Sequence, residues 1–333
     1  MSAFTASPKT DTLASMSLGP FEPHASDLAP GDRGVLETPW SSLAIERITS
    51  TSDPLFENAY ARLWQEFGER GEMERPDVIA GRLAWDPRRP VNGYALMYEM
   101  LVLRDGSDVI AIRDHTIIVP PDALASVPDG GSAGGGDNDG SEDGDANDAS
   151  GIVVHLSHVL VEPAMRGRGV AAWLRALPVA SARECYRIAR GAAPSAVLPQ
   201  ITLVAEMEHD DGQTDAVRRR LRSYARAGFR MVDPSAARYS QPDFRAAAEI
   251  DATSVRPVPL GLVLRRIGRE HENSVSAAAL ARIVDALYAM FAVHVRRDHM
   301  DAARAHLRIP AGDERVALVV PGFAPPADRR VIR

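Results

Sequence analysis

The chain has 333 residues, 45% of them hydrophobic, which is enough for one large or two modest globular cores. Its formal net charge is −7, but seven acids and no basic residue lie between 128 and 150, so the remainder is neutral and a broad nucleic-acid-binding surface is not expected. No uncharged apolar run approaches the roughly 18 residues of a membrane span and no signal-peptide core is visible, so we expect a cytoplasmic protein with no membrane contact.

The N-terminal third predicts a tail followed by two helices. Residues 1–40 are rich in Ser, Thr, Pro and Gly and are predicted to be disordered, with a folded domain over 41–267. Asp53 and Pro54 form a helix-start signal, and apolar residues then recur at helical spacing as far as Phe67. A second, shorter helix is predicted from Arg75 to Leu83.

A hairpin and an acidic insertion follow. Two strand-like runs between Tyr94 and Val119 meet at Asp105-Gly106, a strong hairpin signal. The segment at about 128–150 is predicted to be a disordered Gly/Asp insertion. Its residues from Asp139 resemble the opening of a calcium-binding loop, but Ser150 stands where a bidentate Glu is required, so no calcium site is expected.

The next elements alternate between strand and helix. The predicted elements are a strand over 152–161, a helix over 170–190, a strand over 201–209, a helix ending at Gly228 and a late strand over 257–267. This order predicts a mixed α/β fold with an antiparallel N-terminal hairpin, a central βαβ unit and flanking helices. Cys185, the single cysteine, lies on the first of these helices and is expected to be a small buried hydrophobe.

Residues 268–333 form a predicted C-terminal helical extension. Ser276 can cap a long helix whose apolar stripe runs from Leu280 to Val295. Such a stripe must be buried against the sheet or against a second subunit, so a homodimer is one possible outcome. A short apolar run over 316–320 is compatible with an edge strand. The histidines of this region lack metal-ligand spacing, so no metal is predicted.

The junction between the strand ending at Val161 and the helix beginning at Val170 predicts an anion site. Its sequence is Arg166-Gly167-Arg168-Gly169. A helix start presents unpaired backbone N–H groups and the positive end of the helix dipole. Glycine lets this backbone approach an anion closely, and arginine adds positive charge, so a pyrophosphate cradle is predicted. A tight packing turn is the alternative.

Two motifs carry a family resemblance. The run from Arg166 to Ala171 is similar to the Arg/Gln-x-x-Gly-x-Gly/Ala motif of the GNAT superfamily of N-acetyltransferases, and Leu160-Val161-Glu162-Pro163 is similar to the end of that family's fourth strand. Downstream, Ser223-Tyr224 through Gly228-Phe229 resembles the Tyr-x-x-x-Gly-Phe signature that closes the family's fourth helix. The resemblance covers roughly 43–267 and implies a GNAT-like mixed sheet. The acidic insertion and the long extension depart from the family's minimal pattern.

The resemblance implies acetyl-CoA as cosubstrate, no metal, and roles for particular residues. It implies that backbone groups of Val159 and Val161 contact the pantetheine and acetyl carbonyl. The pyrophosphate would be bound by the turn, made of Arg166, Gly167, Arg168, Gly169, Val170 and Ala171. Tyr224 would protonate the leaving thiolate, with an aromatic packing role as the alternative.

The general base is left open between four residues. Glu206 and Glu208 share one strand face by alternation, so they either serve the cleft as a base or lie solvated at the strand end. His155 and His158 on the preceding strand are the other candidates, predicted on opposite faces, and a hydrogen-bonded structural role is their alternative.

Acceptor recognition is predicted to involve the early helices and a late loop. Tyr60, Trp64 and nearby acids (Glu66, Glu69, Glu72 and Glu74) form either a negative mouth for a cationic amine or a core stripe with a solvated face. The loop Tyr239-Ser240-Gln241-Pro242 resembles an acceptor-side loop in some GNAT enzymes.

Two functions are compatible with these features. The first is an acetyl-CoA-dependent N-acetyltransferase acting on the amine of a small molecule or protein. The second is a catalytically silent acyl-CoA-binding or interaction module in which the C-terminal helix docks a partner. Tyr224 together with the acids of the 201–209 strand favours the enzyme.

Overall fold

The fold is mixed α/β, built on one large open sheet. A computed structural model describes residues 27–32, 43–68, 71–125, 151–191, 198–209, 215–312 and 314–322. The acidic segment at 128–150 and the tail residues 1–26 and 33–40 lie outside these ranges. No helix among the described residues is both long enough and apolar enough to cross a bilayer.

Ten strands form the sheet in the spatial order β1-β2-β3-β4-β5-β8-β6-β10-β9, with β7 paired to the other end of β8. All neighbours are antiparallel except β4 and β5, which are parallel. The strands are β1 (Ala44–Ile48), β2 (Ala95–Asp105), β3 (Asp108–Val119), β4 (Ile152–Val161), β5 (Ile201–Met207), β6 (Arg230–Val232), β7 (Tyr239–Gln241), β8 (Val258–Arg266), β9 (Ser274–Ser276) and β10 (Arg315–Val319).

Eight α-helices accompany these strands in the described ranges. They are α1 (Phe56–Phe67), α2 (Pro76–Leu83), α3 (Pro121–Ala125), α4 (Val170–Arg190), α5 (Asp215–Arg226), α6 (Ala247–Thr253), α7 (Ala277–Phe291) and α8 (Arg297–His306). The predicted hairpin is confirmed as β2 and β3, and the predicted βαβ unit as β4, α4 and parallel β5. The sequence patterns did not predict β1, β6, β7, β9, α3, α6 or α8.

Alternation along the strands divides the core between the two faces of the sheet. On β2, Leu96, Tyr98 and Met100 belong to a cluster with α1, α2 and α7, which we call the front face. Ala95 and Met97 belong to a second cluster with α4 and α5, which we call the back face. Cys185 of α4 lies fully buried in this second cluster, where burial raises the pKa of its thiol. It is therefore a core residue, as expected.

The C-terminal extension is more than helical. The predicted long helix begins where expected, with the Ser276 hydroxyl accepting a hydrogen bond from the Ala279 backbone N–H at 3.2 Å, but α7 ends at Phe291. Its apolar side is buried against the front face of the sheet, so the stripe needs no second subunit. The predicted strand near 316–320 is confirmed, but it lies between β6 and β9 rather than at the sheet edge.

Part of the predicted tail is packed on the folded domain. Asp27, Leu28, Ala29 and Asp32 are all buried, contrary to the prediction that residues 1–40 are disordered. The reason is a set of ion pairs with arginines of α4, described below, that composition did not reveal. The prediction of disorder therefore does not hold for Asp27–Asp32, and the rest of residues 1–40 lies outside the described ranges.

Candidate functional site

The turn between β4 and α4 has the backbone geometry that its glycines suggest. A single 3-10 turn over Pro163–Met165 leads into Arg166, and α4 begins after Gly169. Gly167 has φ 80° and Gly169 has φ 84°, in the left-handed region that glycine adopts at no steric cost. The two glycines are therefore required by the path of the chain into the helix.

The outer side of this turn is open. Arg166, Gly167 and Arg168 are exposed, and a Cβ added to Gly167 would meet no atom within 4 Å. Val170 is buried and Ala171 half-buried, so the helix start is anchored in the core beneath. An exposed helix N-terminus flanked by arginine is suited to a phosphate or another anion.

β4 and β5 pair over only part of their length. Their parallel register runs from Ile152 with Ile201 to His155 with Val204, although both strands continue further. The β4 edge that faces β5 therefore has no sheet partner from Leu156 to Val161 among the described residues. Backbone groups on such an edge can bind an extended chain that carries amides. The Val161 carbonyl already accepts from Arg166 Nε at 2.9 Å.

A β-bulge in β4 changes which face its histidines occupy. Arg113 of β3 pairs with Val159 and His115 pairs with Leu156, so two β4 residues, Ser157 and His158, oppose the single Asp114. The His155 ring contacts Phe291 of α7, and the His158 ring contacts Phe67 of α1, both on the front face. The prediction of opposite faces is therefore wrong, because the extra residue resets the alternation.

His158 is held in a buried ion pair. Its backbone N–H and Nδ1 both bond the Asp114 carboxylate, which also accepts from the Tyr98 hydroxyl at 2.8 Å. Its Nε2 lies 2.9 Å from the Glu72 carbonyl oxygen. Burial alone would lower the pKa of His158, but the charge and hydrogen bond of Asp114 outweigh it and raise that pKa to about 9. A protonated, fully bonded imidazole fixes the bulge and is a poor base.

Glu206 lies at the centre of a second polar cluster on the front face. Its carboxylate bonds His155 Nε2 at 2.9 Å, the Tyr239 hydroxyl at 2.5 Å and the Gln241 side-chain amide at 2.7 Å. Its side chain is only 6% exposed. Burial, followed by the charge of Glu206, raises the pKa of the Tyr239 hydroxyl well above its usual range, which keeps it a donor. β7 pairs with β8 rather than with β5, and its Tyr239 and Gln241 side chains orient the Glu206 carboxylate.

This cluster ends in a chain of three side chains that crosses from β5 to β4. Glu206 bonds His155 Nε2, and His155 Nδ1 lies 3.2 Å from the hydroxyl oxygen of Ser157. Ser157 belongs to the bulge and is half-buried, whereas the side chains of His155 and Glu206 are only 5% and 6% exposed. With the Nε2 proton held by Glu206, Nδ1 is free to accept a proton from Ser157. Residues two apart on a strand, such as His155 and Ser157, share a face, whereas nothing in the local sequence places Glu206 beside them.

Glu208 does not join Glu206. β5 ends at Met207, and the Glu208 carboxylate lies 3.3 Å from Arg220 of α5, a helix of the back face. Both side chains are more than two-fifths exposed. The predicted shared face holds only inside the strand, and Glu208 lies just beyond its end.

Tyr224 belongs to α5 and lies on the back face of the sheet. Its ring packs edge-on against Phe229 with centroids 4.8 Å apart, and its hydroxyl bonds the fully buried Arg113 of β3. Arg113 is the register partner of Val159, so Tyr224 reaches under the unpaired part of β4. Val159 and Val161 turn their side chains into the back-face core, which leaves their backbones as the contacts they could offer.

The N-terminal segment Asp27–Asp32 lies against α4 beside this tyrosine. Asp32 forms a two-point ion pair with Arg175, and Asp27 forms another with Arg183. The Asp27 carbonyl oxygen also accepts from Arg265 of β8 at 3.1 Å. The buried arginine charges of the back face are therefore balanced in part by a segment distant in sequence.

The predicted negative mouth on α1 and α2 is not assembled. Tyr60 stacks on Phe56 and Trp64, and its hydroxyl donates to the Glu74 carbonyl oxygen. Glu74 is buried in an ion pair with Arg82. Burial raises the pKa of Tyr60 to about 12. Glu69 lies outside the described residues, and Glu66 and Glu72 are exposed, so the stripe is mainly structural.

No group of three or more potential metal ligands occurs among the residues that the structure describes.

Comparison with known proteins gives a distant similarity. No family model and no curated protein matches the chain. A Desulfovibrio desulfuricans protein whose description gives a GNAT-family acetyltransferase assignment as provisional is 13% identical, with a TM-score of 0.29, covering 68% of this chain and 99% of its own. A Salmonella typhimurium protein, also provisionally an acetyltransferase and described with its cofactor acetyl-CoA, is 15% identical, with a TM-score of 0.26, covering 68% and 94%. The chain is structurally similar to both.

Proposed function

We propose that the chain is an acetyl-CoA-dependent N-acetyltransferase that transfers an acetyl group directly to the amine of a small molecule or protein. The observation that most supports this proposal is the arrangement of one continuous stretch of chain, from β4 into α4. β4 loses its β5 partner after His155, carries the bulge, and then enters α4 through two left-handed glycines. The edge proposed to bind amides and the turn proposed to bind phosphate are therefore consecutive in the chain.

The residues of this stretch fit acetyl-CoA, which would supply the acyl thioester. The open space around Gly167 and the exposed Arg166 and Arg168 suit a pyrophosphate. The unpaired edge over Val159 and Val161 suits the two amides of an extended pantetheine arm. Tyr224, whose hydroxyl lies under this edge at Arg113, is assigned the protonation of the leaving thiolate.

We assign the general base to the Ser157–His155–Glu206 chain rather than to Glu206 alone. Glu206 already accepts three hydrogen bonds and is nearly inaccessible, so it cannot meet an amine directly. In this scheme the Ser157 oxygen takes the ammonium proton while its own proton passes to His155 Nδ1. Glu206 then stabilises the imidazolium that forms. Glu208, on a surface ion pair with Arg220, has no part in this scheme.

The decisive experiment is calorimetric binding of acetyl-CoA to the full chain and to two glycine variants. Gly167→Trp fills the open side of the turn. Gly268→Trp is the matched control, because Gly268 is also exposed, has φ 81° against 80°, and also has no atom within 4 Å of an added Cβ. Gly268 follows β8 at the opposite end of the sheet, so both variants bear the same backbone strain and only one obstructs the turn.

The expected result is micromolar binding that Gly167→Trp abolishes and Gly268→Trp preserves. Absence of binding to the folded chain, or equal binding by the two variants, would overturn the proposal. Thiol release from acetyl-CoA across a panel of amines then separates the two functions, with His155→Gln expected to lower kcat by about 10²-fold or more. Binding with no thiol release for any amine would favour the silent acyl-CoA-binding module.

A further inference from the structure

A large cavity lies between the sheet and the C-terminal extension. Its volume is about 620 Å³, within the range of small-molecule sites. Leu280 and Val284 of α7 form one wall, Leu260 and Leu262 of β8 another, and residues 305–309, at and after the end of α8, a third. The cavity therefore depends on α7 and on the end of α8, which pack against the front face.

The lining is apolar with positive charge. Neither aspartate nor glutamate lines the cavity, whereas Arg238, Arg308, His209 and His306 do. No carboxylate of the described residues pairs with Arg238 or Arg308, and the Arg308 guanidinium bonds only the carbonyls of Ala305 and Leu307. Many other arginines of the described chain have a carboxylate partner. This lining disfavours a cationic ligand and suits an apolar body with an anionic end.

The cavity is one side chain away from the proposed catalytic chain. Tyr239 lines the cavity, and its hydroxyl donates to Glu206, which in turn bonds His155. Ser240 also lines it, and its carbonyl accepts from the Tyr288 hydroxyl of α7 at 2.7 Å. The extension therefore connects the cavity wall to the residues that orient Glu206.

We propose that this cavity binds the acceptor, and that the acceptor is an amine with an apolar body and a carboxylate at its far end. The assignment of this ligand as the acceptor rests on the proposed function. The ligand class itself follows from the lining. It differs from the cationic amine suggested by Glu66, Glu72 and Glu74, because Glu74 is buried in an ion pair with Arg82 and none of the three lines the cavity.

Three probes of equal chain length test the ligand class. They are 8-aminooctanoate, octanoate, which lacks the amine, and octylamine, which lacks the carboxylate. Binding is measured by calorimetry without acetyl-CoA, so the result does not depend on acyl transfer. Ala305→Trp places an indole in the cavity from an exposed position on α8, and Arg238→Gln removes an exposed cation. Arg219→Gln is the control, removing an exposed cation from α5 on the back face.

Octanoate is expected to bind at least about tenfold more tightly than octylamine, because one charge-assisted contact is worth roughly that factor. Ala305→Trp abolishes octanoate binding, Arg238→Gln weakens it and Arg219→Gln does not. Equal or tighter binding of octylamine, or unchanged octanoate binding in Ala305→Trp, would overturn the ligand class. Octanoate should also compete with 8-aminooctanoate in thiol release. If it binds the cavity yet competes with no acetylated amine, the acceptor assignment fails while the acetyl-CoA result stands.

Discussion

At the scale of single residues, the His158–Asp114 pair makes stability depend on pH. Burial would raise the pKa of Asp114, but the charge and hydrogen bonds of His158 lower it to about 2, and the pKa of His158 rises to about 9. A histidine whose folded pKa lies above its unfolded value of 6.5 contributes stability that is complete below pH 6.5 and is lost as pH rises through 9. Stability should therefore fall between pH 6.5 and 9.

Urea unfolding at pH 6.5, 7.5 and 9 measures this slope. In His158→Gln the decline across that window should disappear, because glutamine does not titrate. His306→Gln is the control, since His306 is exposed and bonds only the Ala302 carbonyl in its own helix. A decline that persists unchanged in His158→Gln would assign the pH dependence to other groups.

The Tyr224 hydroxyl should matter more for turnover than for binding. Tyr224→Phe is expected to lower kcat by about 10²-fold or more while acetyl-CoA affinity stays within a factor of a few. It also removes a hydrogen bond from buried Arg113, which should cost about 1–3 kcal/mol of unfolding free energy.

Tyr186→Phe is the matched control for that variant. Tyr186 is likewise buried on the back face, and its hydroxyl accepts from Arg190 at 2.9 Å. At this position, removal of a tyrosine hydroxyl that bonds an arginine should leave turnover unchanged. Unchanged thiol release in Tyr224→Phe would remove the assigned proton donor.

Residue patterns predicted the glycine turn but not the grouping of the polar side chains around it. Two glycines between a strand and a helix specify a left-handed path, so local sequence is sufficient there. The bulge at Ser157 and His158 is invisible to alternation, because one inserted residue reverses every later assignment of faces. The contact of Glu206 with His155 depends on how two strands pair, which local sequence does not encode.

At the scale of elements, length decided what could be predicted. β2, β3 and α4 carry long periodic patterns, and the structure confirms each of them. β6, β7 and β9 have only three residues each, too few for a period to be recognised. β7 nevertheless supplies Tyr239 and Gln241 to Glu206, so a short strand that the sequence indicated only as part of a loop completes the candidate site.

The segment Asp27–Asp32 is held to α4 by charge, and removing one carboxylate should release it. Asp32→Ala leaves the buried Arg175 guanidinium without its partner, which should cost about 3 kcal/mol. Trp173 is 8% exposed and packs with Leu28 of the segment. Its fluorescence should therefore shift to longer wavelength in the variant.

Two further variants distinguish this pairing from a general loss of charge. Asp215→Ala removes an exposed i,i+3 partner of Arg218 and should cost about half a kcal/mol or less. Adding Arg175→Met to Asp32→Ala should recover most of the lost stability, because the unpaired buried charge is gone. If Asp32→Ala had the same unfolding free energy as the unaltered chain, the packing of this segment on α4 would be contradicted.

At the scale of the whole molecule, the two halves of the chain share one core. The sequence suggested a domain over 41–267 with an appended helical extension, because helix periodicity indicates burial but not against which surface. In the structure β10 joins the same sheet as β6, and α7 covers the front face beside α1 and α2. The extension is therefore part of the fold that holds the Ser157–His155–Glu206 chain.

A chain that ends at residue 267 should not fold. It would lose the large buried side chains of α7, among them Ile283, Leu287 and Phe291, whose burial is worth on the order of 10 kcal/mol. That is comparable to the whole stability of a typical domain. It would also lose the Tyr288 hydrogen bond to Ser240, next to the residue that holds Glu206. We expect an aggregated product without a cooperative thermal transition, measured by circular dichroism and size exclusion. A monomeric, cooperatively melting 1–267 fragment that binds acetyl-CoA would show instead that the extension is a separate unit.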